Sequence, residues 1–174
     1  MNKRKYILVS SIIIYVLHFI AHFVYDVINI DLIAIFFPTN ESIFQHMKMV
    51  FSCFFFFYLI LFIVRRRFNF HNIFLTNLIS SITSIATFLI IYIPTYLRFG
   101  ENMIFTFILL FIAILFGQYV GSFFLQKENY KYLDFGSIII ILIIFIINAY
   151  FTFNPIKSFI FWDPEHETYE RVLK

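Results

Sequence analysis

The sequence predicts an all-α integral membrane protein: a bundle of five transmembrane helices with a cytoplasmic N-terminus and an extracytoplasmic C-terminus. Three observations lead there. Charged residues make up only 13% of the chain and hydrophobic ones 61%, too few polar groups to cover a water-facing surface. Five segments run almost without charge for long enough to cross about 30 Å of hydrocarbon as helix. The basic residues, finally, gather at alternate ends of those segments. All 174 residues read as a single transmembrane domain with no soluble module, and the mean hydropathy of +0.88 agrees.

The spans are predicted at residues 6–25, 43–64, 73–96, 103–125 and 137–153, followed by an extracytoplasmic tail at 154–174. The "MNKRK" start resembles a signal peptide. The apolar run behind it is long, however, contains two histidines and leads to no small-x-small cleavage site, so it reads as a retained helix. Between the first two spans, "VINIDLIAIFFPT" is too short to cross and too apolar for a free loop, which predicts an interfacial or re-entrant segment. Pro94 near the end of the third span predicts a kink that neighbouring helices tolerate. In the fourth span Gly117 and Gly121 form G-x-x-x-G, a spacing that lets two helices approach closely. The fifth has 17 residues, short but still within the spanning range.

Orientation follows from Lys and Arg. Lys3, Arg4 and Lys5 precede the first span, Arg65, Arg66 and Arg67 follow the second, and Lys127 and Lys131 follow the fourth. With five spans these share one side, the cytoplasmic one. Most acids, including Asp26, Asp31, Glu41, Glu101, Asp163, Glu165, Glu167 and Glu170, take the other. This scatter of basic groups at helix ends excludes nucleic-acid binding as the meaning of a pI near 9.0. The partner is instead the lipid bilayer, and the expected location is a bacterial cytoplasmic membrane. Cys53, the single cysteine, lies in an apolar run: it forms no disulfide within one chain and makes a poor nucleophile.

Polar groups concentrate at the extracytoplasmic ends of the first two spans. His18, His22 and Asp26 are spaced i, i+4, i+8 and share a helix face. "FFPTNESIFQHMK" supplies Glu41, Ser42, Gln45, His46 and Lys48, and the tail "FWDPEHETYE" supplies Asp163 and His166. Ionisable groups at membrane depth are functional candidates because they are costly to insert. The H-x-x-x-H pair His18/His22 presents two imidazoles one turn apart, the spacing by which helical sites hold zinc. His46 offers a third ligand, and Asp26, Glu41 or Asp163 could orient ligands or act as a base. Plainer roles exist as well. Asn40 or Thr39 can cap the second helix while Glu41 favours the positive end of its dipole. Lys48 can reach the interface without further duty. There is no Gly-rich phosphate loop, G-x-S-x-G elbow or H-E-x-x-H motif.

The run "HFVYD" followed by "FFPTNESIFQHMK" resembles a family of small bacterial multi-pass membrane proteins of unknown function. Its members combine a His-x-x-Tyr-acid segment, an Asn-Glu-Ser…His-x-Lys signature and an Asp-Pro…Tyr-Gly tail. The matching positions are His22, Tyr25, Asp26, Pro38, Asn40, Glu41, Ser42, His46, Lys48, Asp163, Pro164, Thr168 and Tyr169. Here Asp26 stands for the usual Glu, Phe44 for Trp, Gln45 for an acid and Glu170 for Gly, and His18 lies outside the pattern. The resemblance brings no activity, but it implies that the three patches form one site. A more distant likeness is to alkaline-ceramidase-like membrane hydrolases, whose S-x-x-x-H and H-x-x-x-H helices hold zinc. "SIFQH" and "HFIAH" match these in reversed order, in a chain with five spans where those enzymes have seven.

The first functional reading is therefore a metal-dependent hydrolase, with zinc as the expected ion and a lipid or envelope component as substrate. His22 and His46 would be ligands, with His18, Asp26 and Asp163 as further ligands or orienters. Glu41 would be the general base, and Ser42 or Lys48 would stabilise developing negative charge. The alternative is a non-enzymatic binding, transport or accessory protein whose polar cluster is a structural hydrogen-bond and ion-pair network. The inner spans offer few polar residues beyond Ser80, Ser81, Thr83, Ser84, Gln118 and Asn148, which argues against a channel for charged solutes.

Overall fold

The computed structural model describes residues 2–64, 70–100, 102–125, 128 and 130–172. The basic triplet 65–67 and Lys127, on which the orientation largely rests, lie outside the described residues, as do Glu101 and Lys174. The described chain is helical, in the order α1 (Lys3–His22), α2 (Val24–Val27), α3 (Asp31–Phe36), α4 (Ile43–Val64), α5 (Ile73–Phe99), α6 (Met103–Leu125) and α7 (Lys131–Phe153). Five helices are long and apolar enough to cross a membrane: Lys3–Val27, which joins α1 to α2, and α4 to α7. Side chains such as Ile63, Ile90, Ile104 and Ile146 stand largely exposed on these helices, a surface suited to lipid.

Three helices outrun their predicted spans, α1 and α5 by three residues and α7 by six. α7 begins at Lys131, six residues ahead of the apolar run, because Asp134 supplies a first-turn carboxylate that favours a helix start. α5 runs on through Pro94 to Phe99 and stops at Gly100, whose φ of +74° suits a residue without Cβ. The segment "VINIDLIAIFFPT" is not extended: it contains α3, whose Ala34 is completely buried.

Two compact units make up the chain: Met1–Val16 with Phe54–Ile138, and Leu17–Cys53 with Ile139–Lys174. In the first, α5 and α6 pack through small residues. A Cβ on Gly117 would strike the Ser80 carbonyl and crowd Ser84, and one on Gly121 would strike the Ser80 hydroxyl and press on Thr76. Thr76, Ser80 and Ser84 recur every four residues, so a small-residue stripe on α5 meets the G-x-x-x-G of α6. Nearby, the Tyr58 hydroxyl donates to Gln118 Oε1 (2.8 Å) and lies 3.2 Å from Ser80 Oγ, while Tyr6 donates to Tyr58 at 3.3 Å. At the start of α5, Asn72 donates to the carbonyls of Phe124 and Glu128 and accepts the Tyr130 N–H. Asp134 takes the Leu75 N–H at 2.9 Å, satisfying a first-turn donor of α5.

The second unit is built on aromatics. Phe145 contacts Phe36 and Phe51 edge-on, and Phe44 stacks on Phe161 with centroids 4.6 Å apart. This unit contains the polar groups singled out above.

Candidate metal centre

The site is assembled where α4 begins. Because that helix starts at Ile43, Ser42 takes the N-cap position expected of Asn40 or Thr39, and its Oγ accepts the Gln45 N–H (3.4 Å). Asn40 instead braces the turn, accepting the Ser42 N–H through Oδ1 and donating to the Glu170 carbonyl through Nδ2. Glu41 thus lies just outside the helix, in a turn whose form is set by hydrogen bonds on both sides.

From there its carboxylate reaches two imidazoles. Glu41 Oε2 lies 3.3 Å from His22 Nε2 and 3.4 Å from His46 Nε2, and the two rings have centroids 5.4 Å apart. One donor atom from each of the three residues falls within 4.8 Å of the others, so His22, Glu41 and His46 form a group that could hold a metal ion. Two ligand atoms each about 2.0–2.1 Å from one zinc, at a tetrahedral angle, would lie about 3.3–3.4 Å apart. The Glu41–imidazole distances match that spacing. His46 Nδ1–H donates to the Ser42 carbonyl at 3.0 Å, which leaves the Nε2 lone pair for a ligand. All three side chains are about one quarter exposed, so the group is reachable from outside the protein.

Segment 154–172 holds this arrangement together. Asp163 is fully buried, and its Oδ2 accepts both the Glu41 N–H (3.1 Å) and the His166 Nδ1–H (2.9 Å). Its Oδ1 takes the backbone N–H groups of Glu165 and His166. Further bonds run from the Phe44 N–H to the Ile160 carbonyl and from the Val172 N–H to that of Thr39. Arg171 closes the segment with a 2.6 Å ion pair to Asp31.

Comparison with known sequences assigns the chain to a group without assigning it a task. Residues 1–170 match the family of unknown function DUF6512. The chain belongs to that family. No curated protein and no solved structure matches it.

In this DUF6512 member the remaining predicted site residues take separate places. Ser42 contributes its carbonyl to His46 and its hydroxyl to the helix cap. Lys48 is buried, and its Nζ donates to the Ala34 carbonyl (2.6 Å) and to Thr152 Oγ1 (3.0 Å), tying α3 and α7 to α4. Asp26 is exposed on α2 and outside the three-residue group. His18, one turn before His22 on α1, is also outside that group. It is buried, and its Nδ1 has no hydrogen-bond partner among the described residues. Asp163 stands behind Glu41, bonded to its main chain. Sequence reasoning noticed His166 but gave it no role. The signal was there in "DPEH", where an Asp three residues before a His in a Pro-containing turn can accept from the imidazole.

Proposed function

We propose that this protein is a membrane-embedded metal-dependent hydrolase. Its site would lie at the extracytoplasmic face of a bacterial cytoplasmic membrane, in one transmembrane domain with a cytoplasmic N-terminus. The observation that carries the reading is the convergence of His22, Glu41 and His46. Two imidazoles and a carboxylate are a ligand set of catalytic zinc, which keeps a fourth position for water or substrate. A zinc held by these residues would supply Lewis acidity, activating water at neutral pH.

The side chains of this chain would do the rest. His22, Glu41 and His46 bind the ion. Taking Glu41 as a ligand, where sequence reasoning made it the base, follows from its position between the two imidazoles. The Ser42 carbonyl orients His46, and Asp163 orients Glu41 through its main chain. Lys48 serves as a positioning residue, its donors already directed at Ala34 and Thr152. The exposed apolar residues Val27, Ile30 and Leu32, in the segment joining α1 to α4, favour a substrate with a lipid part or one from the envelope. Elemental analysis of detergent-purified protein tests the reading. Stoichiometric zinc in wild type and its loss in His46→Ala are expected, and metal-free wild-type protein would reject it.

One observation favours a second reading. The Glu41–imidazole distances also suit hydrogen bonds from protonated histidines, as in a structural ion-pair network. In that case the protein is a non-enzymatic binding or accessory protein, and all-alanine replacement of Glu41, His46 and Lys48 lowers stability without changing metal content.

A further inference from the structure

We propose that docking of segment 154–172 and occupancy of the metal site are a single coupled equilibrium, with Asp163 as the positioning residue that joins them. The inference rests on the metal reading above and concerns its regulation.

Of the three ligand residues, two are carried by helices: His22 ends α1 and His46 lies in the first turn of α4. Glu41 has no helix to place it. Its position depends on residues 39–44, and these are bound to the tail at four points. Thr39 accepts from Val172, Asn40 donates to Glu170, Glu41 donates to Asp163 and Phe44 donates to Ile160. The Asp163 bond is central because the carboxylate is completely buried and is held by three N–H groups of its own segment as well as by Glu41. Buried carboxylate oxygens of this kind are costly to leave unpaired. Withdrawal of the tail would therefore release the Glu41 turn, and a free turn no longer presents a carboxylate between two imidazoles. By linkage, an ion that needs Glu41 must hold the tail down to the same degree that the tail strengthens ion binding.

The experiment uses full-length protein in detergent, with Zn²⁺ alone as the probe, and two readouts. Zinc affinity is measured for wild type and Asp163→Asn. Tryptic cleavage after the exposed Lys157 is followed with and without zinc. Asp163→Asn is expected to weaken zinc about 10–100-fold, the range for residues that orient metal ligands. Zinc is expected to slow the Lys157 cut in wild type and to leave it unchanged in His46→Ala. A purely structural Asp163 would change stability without making the tail respond to zinc. Equal zinc affinity in the variant, or wild-type cleavage at the same rate with and without zinc, overturns the coupling while leaving the metal site standing. Wild-type protein that takes up no zinc overturns the metal site itself, and the coupling with it. The wild-type cleavage rates decide the matter even if Asp163→Asn does not fold.

Discussion

The two compact units bury polar groups in different ways. In the unit built from Met1–Val16 and Phe54–Ile138 these groups are neutral: Tyr6, Tyr58, Ser80, Asn77 and Gln118. In the unit built from Leu17–Cys53 and Ile139–Lys174 they include Lys48 and Asp163, beside the partly exposed His22, Glu41 and His46. The neutral cluster goes with close helix packing, glycine against serine, and several of its atoms, such as both polar atoms of Asn77, have no partner among the described residues. The charged cluster is joined by bonds that reach from residue 34 to residue 170. A hydroxyl or amide inside a membrane helix can fall back on its own backbone, as Ser81 and Thr76 do. A carboxylate or ammonium needs partners brought from elsewhere in the chain, and such partners make a site.

The contrast can be broken from either side. The largest effect is expected from Glu41→Ala or His46→Ala, which should reduce zinc binding at least about 100-fold by removing a ligand, whereas Gln118→Leu should leave zinc binding unchanged. Titration with zinc in competition with a chelator distinguishes them. Next comes Lys48→Met, which leaves the Ala34 carbonyl and the Thr152 hydroxyl in the interior without their donor. A loss of about 1–3 kcal/mol is expected in detergent-denaturation midpoints. In the other unit, Gly117→Ala should destabilise by a similar amount, about 1–3 kcal/mol, through overpacking. Gly121→Ala should cost less, because the new methyl meets the end of the Ser80 side chain and not a backbone oxygen. Tyr58→Phe should cost about 0.6 kcal/mol, the average for hydrogen bonds between membrane helices, and at most about 1.7 kcal/mol. Smallest is Arg171→Ala: Asp31 is largely exposed, so the pair is worth under about 1 kcal/mol to global stability. Thermal unfolding of these four variants in one detergent would rank them.

How much of this was legible beforehand varies with the kind of residue. The five long helices are visible because an apolar run is a local property. The extra residues of α1, α5 and α7 escaped notice because hydropathy does not register a polar stretch that continues the same helix. The stripe of Thr76, Ser80 and Ser84 could have been matched to Gly117 and Gly121 by its four-residue spacing, although no sequence rule selects which helix meets which. At the candidate site, family resemblance implied that the first helix, the Asn-Glu-Ser turn and the tail belong together. Residue types suggested candidates there, but left their arrangement open. Spacing suggested His18 with His22; the three-residue group instead takes His22 with Glu41 and His46.

The sequence alone determined five helices apolar enough to span a membrane and a short list of candidate His, Asp and Glu residues, because both depend on what each segment is made of. Only the tertiary structure decided that Glu41 stands between two imidazoles, that Lys48 faces Ala34 and Thr152, and that Asp163 supports the Glu41 turn. Those relations join positions 5 to 122 residues apart, and distance along a chain sets no distance in space until the chain has folded.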